Sequence, residues 1–99
     1  RFKVYFKIKK MKIILELFGA SRDFSQKDYL EFEIKNHVSV KDFKEVLLTF
    51  IDKKFKGNVE FKKIIESSAF CSEKNEIISD NYKIQKEQKI GIIPPIGGG

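Results

Sequence analysis

The residues with the clearest capacity for chemistry form the stretch IGIIPPIGGG, which runs from Ile90 to Gly99. Pro94 and Pro95 have fixed φ angles, so they hold the chain extended and stiff beyond the apolar run. Gly97 to Gly99 carry no side chains, and such a segment can enter a passage too narrow for any other residue. We expect the Gly99 carboxylate to be the one functional group presented at the tip of this tail.

Two other side chains could in principle do chemistry. His37 is a lone histidine in a predicted loop before a helix, and we interpret it as solvent-exposed or helix-capping. Cys71, the single cysteine, lies in an apolar run and is interpreted as a packed thiol rather than a sulfur acceptor. The sequence shows no glycine-rich phosphate loop, metal-ligand cluster or nucleophile triad, so we expect no metal site.

The charge distribution argues against nucleic acid as a partner. The 99-residue chain has a net charge of +6, but five of its twenty basic residues lie in the first ten positions, which contain no acid. From Met11 onward fifteen basic residues stand against fourteen acidic ones. No apolar run approaches the roughly 20 residues of a membrane span, and no signal-peptide pattern is present. We therefore expect a cytoplasmic protein without a membrane partner.

The elements that must position the tail begin with two predicted strands. KIILELF, from Lys12 to Phe18, is rich in β-forming residues, and YLEFEIK alternates apolar and charged side chains, so the two are predicted to pair as a hairpin. The preceding RFKVYFKIKK also alternates with period two. Two interpretations of residues 1–10 stay open: an added edge strand, or an extension that is not part of the native protein, with Met11 as the native start.

A long amphipathic helix is the most strongly patterned element. Ser39 occupies the N-cap position before VKDFKEVLLTFIDKKF, and Asp42 follows in the first turn. Gly57 and Asn58 are predicted to end the helix. The apolar side chains are spaced as on one helical face: Val40, Phe43, Val46, Leu47, Phe50, Ile51 and Phe55.

The segment from Val59 to Ser79 is less clearly patterned. EFKKIIE is compatible with a short helix or an irregular turn, while SSAFCS and NEIIS predict two short strands. DNYKI resembles a turn or a single 3₁₀ turn. KIGIIP predicts a last strand, which Pro94 must terminate because proline has no N–H to give to a sheet.

This order of elements predicts an α+β fold of the β-grasp type, with a mixed sheet of four to five strands packed on one main helix. The first and last strands are expected to lie side by side, parallel, at the centre of the sheet. We divide the chain into a basic extension (1–10), a β-grasp domain (11–93) and a flexible Pro-Pro/Gly tail (94–99).

A glycine tail on such a domain resembles the ubiquitin-like proteins, and PPIGGG resembles more narrowly the small subunits of molybdopterin synthase. Members of that family end in Pro-Pro, two variable residues and Gly-Gly, a pattern that Pro94 to Gly99 match without a gap. The opening MKIILELFGASRDF resembles the family's first strand and following loop. The resemblance covers Met11 to Gly99, and only the tail is specific.

The resemblance implies a sulfur carrier rather than an enzyme with its own catalytic groups. An ATP-dependent, E1-like partner would adenylate the Gly99 carboxylate and convert it to a thiocarboxylate, since a carboxylate has no good leaving group and AMP supplies one. The tail, comprising Pro94, Pro95, Ile96, Gly97 and Gly98, would then enter the large synthase subunit in a heterotetramer. There the sulfur passes to cyclic pyranopterin monophosphate. No cofactor would be bound by the chain itself.

Two alternatives from other functional classes remain. One is a ubiquitin-like modifier that forms isopeptide bonds with lysines, and the other is a thiazole-pathway sulfur carrier, which usually lacks Pro-Pro. A nucleic-acid-binding module rests only on the basic extension.

Overall fold

A computed structural model of the protein describes residues 10–35 and 37–96. The predicted alternatives for the basic extension lie almost wholly outside these residues. Ten elements follow one another in the described part: β1 (Lys10–Leu17), a 3₁₀ helix (Gly19–Phe24), β2 (Tyr29–Lys35), β3 (Val38–Ser39), α1 (Val40–Phe55), α2 (Val59–Ser67), β4 (Ala69–Cys71), β5 (Ile77–Ile78), β6 (Lys83–Ile84) and β7 (Gln88–Ile93).

The main sheet has five strands in the order β2-β1-β7-β4-β5. β1 and β2 form the predicted antiparallel hairpin, in which Ile13 lies opposite Phe32. β1 and β7 are parallel, and Leu15 lies opposite Ile90. A parallel pair needs a long crossover connection, which the helical segment between β2 and β4 supplies. The predicted α+β β-grasp arrangement, with the first and last strands adjacent, is confirmed.

The core lies between one face of this sheet and α1. Val40, Phe43, Leu47 and Ile51 are buried along the helix, at the spacing that the amphipathic pattern predicts. From the sheet and its neighbours, the fully buried partners are Ile13, Leu15, Leu17, Phe24, Ile65, Phe70, Ile84, Ile90 and Ile92. Burial of each such side chain contributes about 1.5–3 kcal/mol.

The ends of α1 agree with the prediction at Ser39 and Gly57, but the predicted role of Asn58 in ending this helix is wrong. The Ser39 Oγ accepts a hydrogen bond of 3.1 Å from the Asp42 N–H, which satisfies one backbone donor of the first turn. At the other end Lys56 and Gly57 adopt positive φ angles of 55° and 71° and reverse the chain. Asn58 belongs to the next helix, because its Oδ1 accepts a hydrogen bond of 3.0 Å from the Phe61 N–H.

Three parts of the fold differ from, or complete, the sequence prediction. The EFKKIIE segment is helical, so a second helix, α2, accompanies the main one. DNYKI is a turn at Asp80 and Asn81 followed by the strand β6, which pairs with β3 in a separate two-stranded sheet. These strands are two residues long, and so short a pairing leaves no period for a sequence pattern to reveal. Among the described residues no helix is long and apolar enough to cross a membrane.

Candidate functional site

The base of the tail is fixed in the centre of the main sheet. β7 pairs with β1 on one side and with β4 on the other. Its side chains Ile90 and Ile92 are fully buried. A central strand held on both sides cannot shift without breaking two ladders of hydrogen bonds. The last strand therefore provides a rigid point from which the chain leaves the domain.

The three residues that follow this strand change from buried to exposed. Pro94 is buried, Pro95 is exposed, and Ile96 has 97% of its surface accessible. The predicted site residues Gly97, Gly98 and Gly99 lie outside the described residues. Four extended residues beyond Pro95 would span at most about 14 Å. The described part thus places the start of the tail on the surface, with a large apolar side chain as its first exposed anchor.

A turn after β1 supports the tail where it leaves the sheet. Gly19 has a φ of +56°. It lies beside Pro94, and a Cβ added to Gly19 would be 3.8 Å from the Pro94 Cδ. The buried Ser21 holds this turn, because its Oγ accepts a hydrogen bond from the Phe18 N–H (3.0 Å) and donates one to the Phe18 carbonyl (2.6 Å). The sequence placed Gly19 and Ser21 only in the loop after the first strand, and no pattern in it indicated this support.

Gly91 lies under two neighbouring side chains on the outer face of the sheet. A Cβ built on Gly91 would lie 2.7 Å from the Cys71 Sγ and 3.1 Å from the Phe18 Cε2. These side chains occupy the space that any larger residue would need. A glycine inside a predicted strand is the sequence signal for such close packing. The predicted packed thiol is confirmed, since Cys71 is buried.

An apolar surface continues from the tail across the same outer face. Ile93 is half-buried and lies opposite the exposed Ala69. Ile77, opposite Cys71 on β5, is 67% exposed. We call the surface formed by Phe18, Ala69, Ile77, Ile93 and Ile96 the tail-side apolar surface. Exposed apolar area of this kind marks sites of protein–protein contact.

Charged residues border this surface rather than interrupt it. The Lys89 Nζ lies 3.5 Å from the Glu16 Oε1, and both side chains are partly exposed at the β1–β7 pair. Surface ion pairs of this kind contribute little to stability. Polar borders around an apolar centre are the usual composition of a protein interface.

The other chemical candidates do not assemble into a site. His37 is exposed in the loop before β3, in agreement with its prediction as a surface residue. Within residues 10–35 and 37–96 no three His, Cys, Asp or Glu side chains come together as a possible metal site. The tail remains the candidate for the reacting group.

Comparisons with known proteins place this geometry among ubiquitin-like domains. Neither a protein-family model nor a curated protein sequence matches the chain. A protein assigned as molybdopterin converting factor subunit 1 from Pyrococcus furiosus superposes with a TM-score of 0.63, at 19% identity over 87% of this chain and 99% of that one.

Two further solved structures show the same architecture. The small archaeal modifier protein 1 of Methanosarcina acetivorans has a TM-score of 0.57 at 21% identity, over 92% of this chain and 99% of its own. The ubiquitin of Caldiarchaeum subterraneum has a TM-score of 0.57 at 15% identity, over 92% and 100%. The chain therefore has the ubiquitin-like β-grasp fold. The predicted resemblance to molybdopterin synthase small subunits is confirmed at the level of this fold.

Proposed function

We propose that this protein is a sulfur carrier of the molybdopterin synthase small-subunit type, with the Gly99 carboxylate as its reacting group. The observation that carries the proposal is the change from a fully buried Ile92 to a 97% exposed Ile96 within four residues, directly before Gly97 to Gly99. The fold likeness supports it, since one structural neighbour is described as a molybdopterin converting factor subunit.

The proposed chemistry has two activation steps and one transfer. The Gly99 carboxylate attacks the α-phosphate of ATP, giving an acyl adenylate and pyrophosphate. A persulfide sulfur of the sulfur donor then displaces AMP to give an acyl disulfide. A partner thiol cleaves the S–S bond of that acyl disulfide, which releases the thiocarboxylate and leaves a disulfide on the partner. Transfer of that sulfur to cyclic pyranopterin monophosphate, with water supplying the replacing oxygen, regenerates the carboxylate. Dividing one difficult substitution into easier steps is the usual advantage of covalent intermediates.

The groups that assist these steps would belong to partners, because the tail glycines have no side chains to contribute. The E1-like enzyme would bind ATP, and the large synthase subunit would bind the pterin, in the proposed heterotetramer. Both must recognise the same domain before the tail can enter. We propose as their docking area the tail-side apolar surface, which is formed by Phe18, Ala69, Ile77, Ile93 and Ile96.

The stiff connection at Pro94 and Pro95 has an energetic role in this proposal. Ordering a flexible segment costs about 1–2 kcal/mol per residue in backbone entropy. The fixed φ of each proline and the packing of Pro94 beside Gly19 order the start of the tail before docking. A partner would then meet a start of the tail that is already ordered, which lowers the entropy cost of docking.

A ubiquitin-like protein modifier is the second candidate. It is favoured by the likeness to a small archaeal modifier protein and to an archaeal ubiquitin. Both functions use an adenylated terminal glycine, and they differ in the nucleophile that follows: sulfur for the carrier and a lysine amine for the modifier. A thiazole-pathway carrier shares the thiocarboxylate and would differ only in the acceptor.

Intact mass spectrometry separates these candidates. The purified protein is incubated with an E1-like enzyme, ATP and a sulfur donor, with parallel reactions lacking ATP or sulfur. The proposal predicts an ATP-dependent gain of about 16 Da, oxygen replaced by sulfur, at the C-terminal residue. Lysine-linked adducts would instead support the modifier. Incubation of the loaded protein with large subunit and cyclic pyranopterin monophosphate then tests whether the gain is lost on transfer.

A further inference from the structure

The turn that follows β1 contacts both the last strand and the start of the tail. We call residues 18–21 the exit turn. The Phe18 ring covers Gly91 within β7, and its Cε2 would lie 3.1 Å from a Cβ added there. Three residues further along the chain, the Pro94 ring lies beside Gly19. The exit turn therefore contacts the chain on both sides of the end of β7.

Pro94 packs directly on the exit turn. Apart from chain neighbours, the described atoms that would lie within 4 Å of a Cβ added to Gly19 belong to the Pro94 ring, at 3.8 Å for Cδ and 3.9 Å for Cγ. Pro94 is buried, and Pro95 directly after it is exposed. Each proline fixes its own φ, so the placement of Pro94 determines the course of Pro95 and influences that of Ile96. The exit turn therefore influences the direction of the tail.

The Ser21 side chain holds the exit turn closed. Its hydroxyl accepts a hydrogen bond from the Phe18 N–H and donates one to the Phe18 carbonyl, which also accepts the Ser21 N–H at 3.2 Å. Ser21 is fully buried. Loss of the hydroxyl would remove two of these three hydrogen bonds at a site where little water can replace them. The shape of the turn thus depends on Ser21.

The chain beyond the exit turn is anchored in the core. Phe24, at the end of the 3₁₀ helix, is 1% exposed, and its ring centroid lies 5.2 Å from that of Phe61 in α2. The Leu17 N–H donates a hydrogen bond of 2.9 Å to the Asp28 carbonyl, which closes the whole loop. Because the loop is fixed at both ends, it gives Pro94 a rigid surface to pack on.

The contact with Pro94 requires a left-handed backbone conformation at Gly19. Its φ of +56° is open to glycine and tolerated by asparagine, but it is costly for β-branched residues. A residue that returned to a negative φ would change the course of the turn and move it away from Pro94. Gly19 is exposed, so an asparagine side chain at this position can point into solvent. The backbone conformation at Gly19, rather than the size of its side chain, is therefore the quantity to test.

We propose that Gly19 and Ser21 are positioning residues, which set the direction in which the tail leaves the domain and so present Gly99 to the activating partner. The partner's requirement rests on the proposed function, whereas the direction rests on the geometry of the exit turn and Pro94. A narrow passage accepts the terminus only along one line. A tail whose base changes direction would therefore enter productively in a smaller fraction of encounters.

Paramagnetic relaxation enhancement tests the direction without any partner. A nitroxide label is attached to Ile96→Cys in the full chain, where the buried Cys71 is protected from labelling. The label should broaden one compact group of backbone amide signals. Gly19→Val and Ser21→Ala, each added to this variant, should weaken the strongest broadening at least about twofold and spread it over more residues. Gly19→Asn should retain the original set of broadened signals, because asparagine tolerates a positive φ.

Gly57→Val is the matched control. Gly57 has a φ of +71°, and it lies beside the side chains of Asp52 and Lys62 rather than beside the tail. The substitution therefore imposes a similar backbone cost at the end of α1. It should destabilise the domain to a similar degree as Gly19→Val and leave the broadened signals unchanged. Circular dichroism verifies that each variant is folded.

The rate of thiocarboxylate formation tests the consequence, with Ile96 left intact. Gly19→Val and Ser21→Ala should lower kcat/KM for activation by an E1-like enzyme about tenfold, and Gly19→Asn and Gly57→Val should stay within about twofold of the original. Unchanged broadening in both turn variants would overturn the proposal, and so would changed broadening with an unchanged rate. If the original chain is not activated at all, the proposed function fails, and the label alone decides whether the exit turn directs the tail.

Discussion

Gly91 is tightly packed on the outer face of the sheet. The 2.7 Å distance from its virtual Cβ to the Cys71 Sγ leaves no room for a methyl group without movement of the sheet. Because β7 is central, such a movement would disturb the strands on both sides. The close packing at Gly91 therefore affects both the core of the domain and the strand that leads into the tail.

We predict that Gly91→Ala destabilises the protein by about 1–3 kcal/mol, the usual range for overpacking. Urea denaturation measures the change in the free energy of unfolding. The double mutant with Cys71→Ala should recover part of the loss, since the closest atom is then absent. An alanine at position 91 without effect on stability would show that the cleft between Cys71 and Phe18 is wider than the structure indicates.

At the tail we predict that deletion of Gly98 and Gly99 abolishes thiocarboxylate formation while the melting temperature changes by less than about 1 °C. Glycine has no side chain to bury in a core, so removal of these two residues should leave the packing of the domain unchanged. Differential scanning calorimetry and the mass assay are applied to the same samples. A large fall in melting temperature would contradict the assignment of these residues to a tail.

At the scale of the elements, the end of β7 separates the buried core from the exposed start of the tail. Ile92 is fully buried and Ile96 is 97% exposed, although the two residues are chemically identical and only four positions apart. This contrast gives a matched pair of substitutions. It also defines where the domain stops contributing to stability and the tail begins.

We predict that Ile92→Ala costs about 2–5 kcal/mol, whereas Ile96→Ala stays within about 0.5 kcal/mol of the original protein. Chemical denaturation of both variants tests the stability difference. Ile96→Ala should weaken binding to the activating enzyme, because it removes an exposed apolar anchor. Equal stabilities for the two variants would place the boundary of the core elsewhere.

The start of α1 provides a second test at this scale. Ser39→Ala removes the acceptor for the Asp42 N–H and should cost about 0.5–2 kcal/mol. Ser79→Ala is the control, since the Ser79 side chain makes no hydrogen bond within the described residues. Thermal unfolding followed by circular dichroism compares the two, and equal losses would mean that capping does not account for the effect.

At the scale of the whole molecule, elements with long periodic patterns could be predicted and short ones could not. The β1–β2 hairpin and α1 each bury one face over several periods of the strand or helix. The spacing of apolar residues alone therefore predicts which of their side chains are buried. The β3–β6 pair is held by the turn that brings Tyr82 to Val40, through a backbone hydrogen bond of 2.9 Å from the Val40 N–H. Such a contact depends on tertiary position and leaves no local pattern.

The candidate site was predictable in part for a similar reason. Pro94, Pro95 and the glycines are unusual in sequence, so composition alone draws attention to them. The support from Gly19 and Ser21 and the cover of Gly91 by Phe18 depend on which strands become neighbours. Those contacts could be found only after the parallel β1–β7 pairing was established.

We propose that this domain carries sulfur at its C-terminus. Intact mass spectrometry of the protein after incubation with its activating partner is the direct test. The full-length protein is treated with an E1-like enzyme, ATP and a sulfur donor. We expect a gain of about 16 Da that maps to Gly99 and disappears when ATP is omitted. An unchanged terminal mass with an enzyme that activates a control carrier, or masses that correspond only to lysine-linked conjugates, would contradict it.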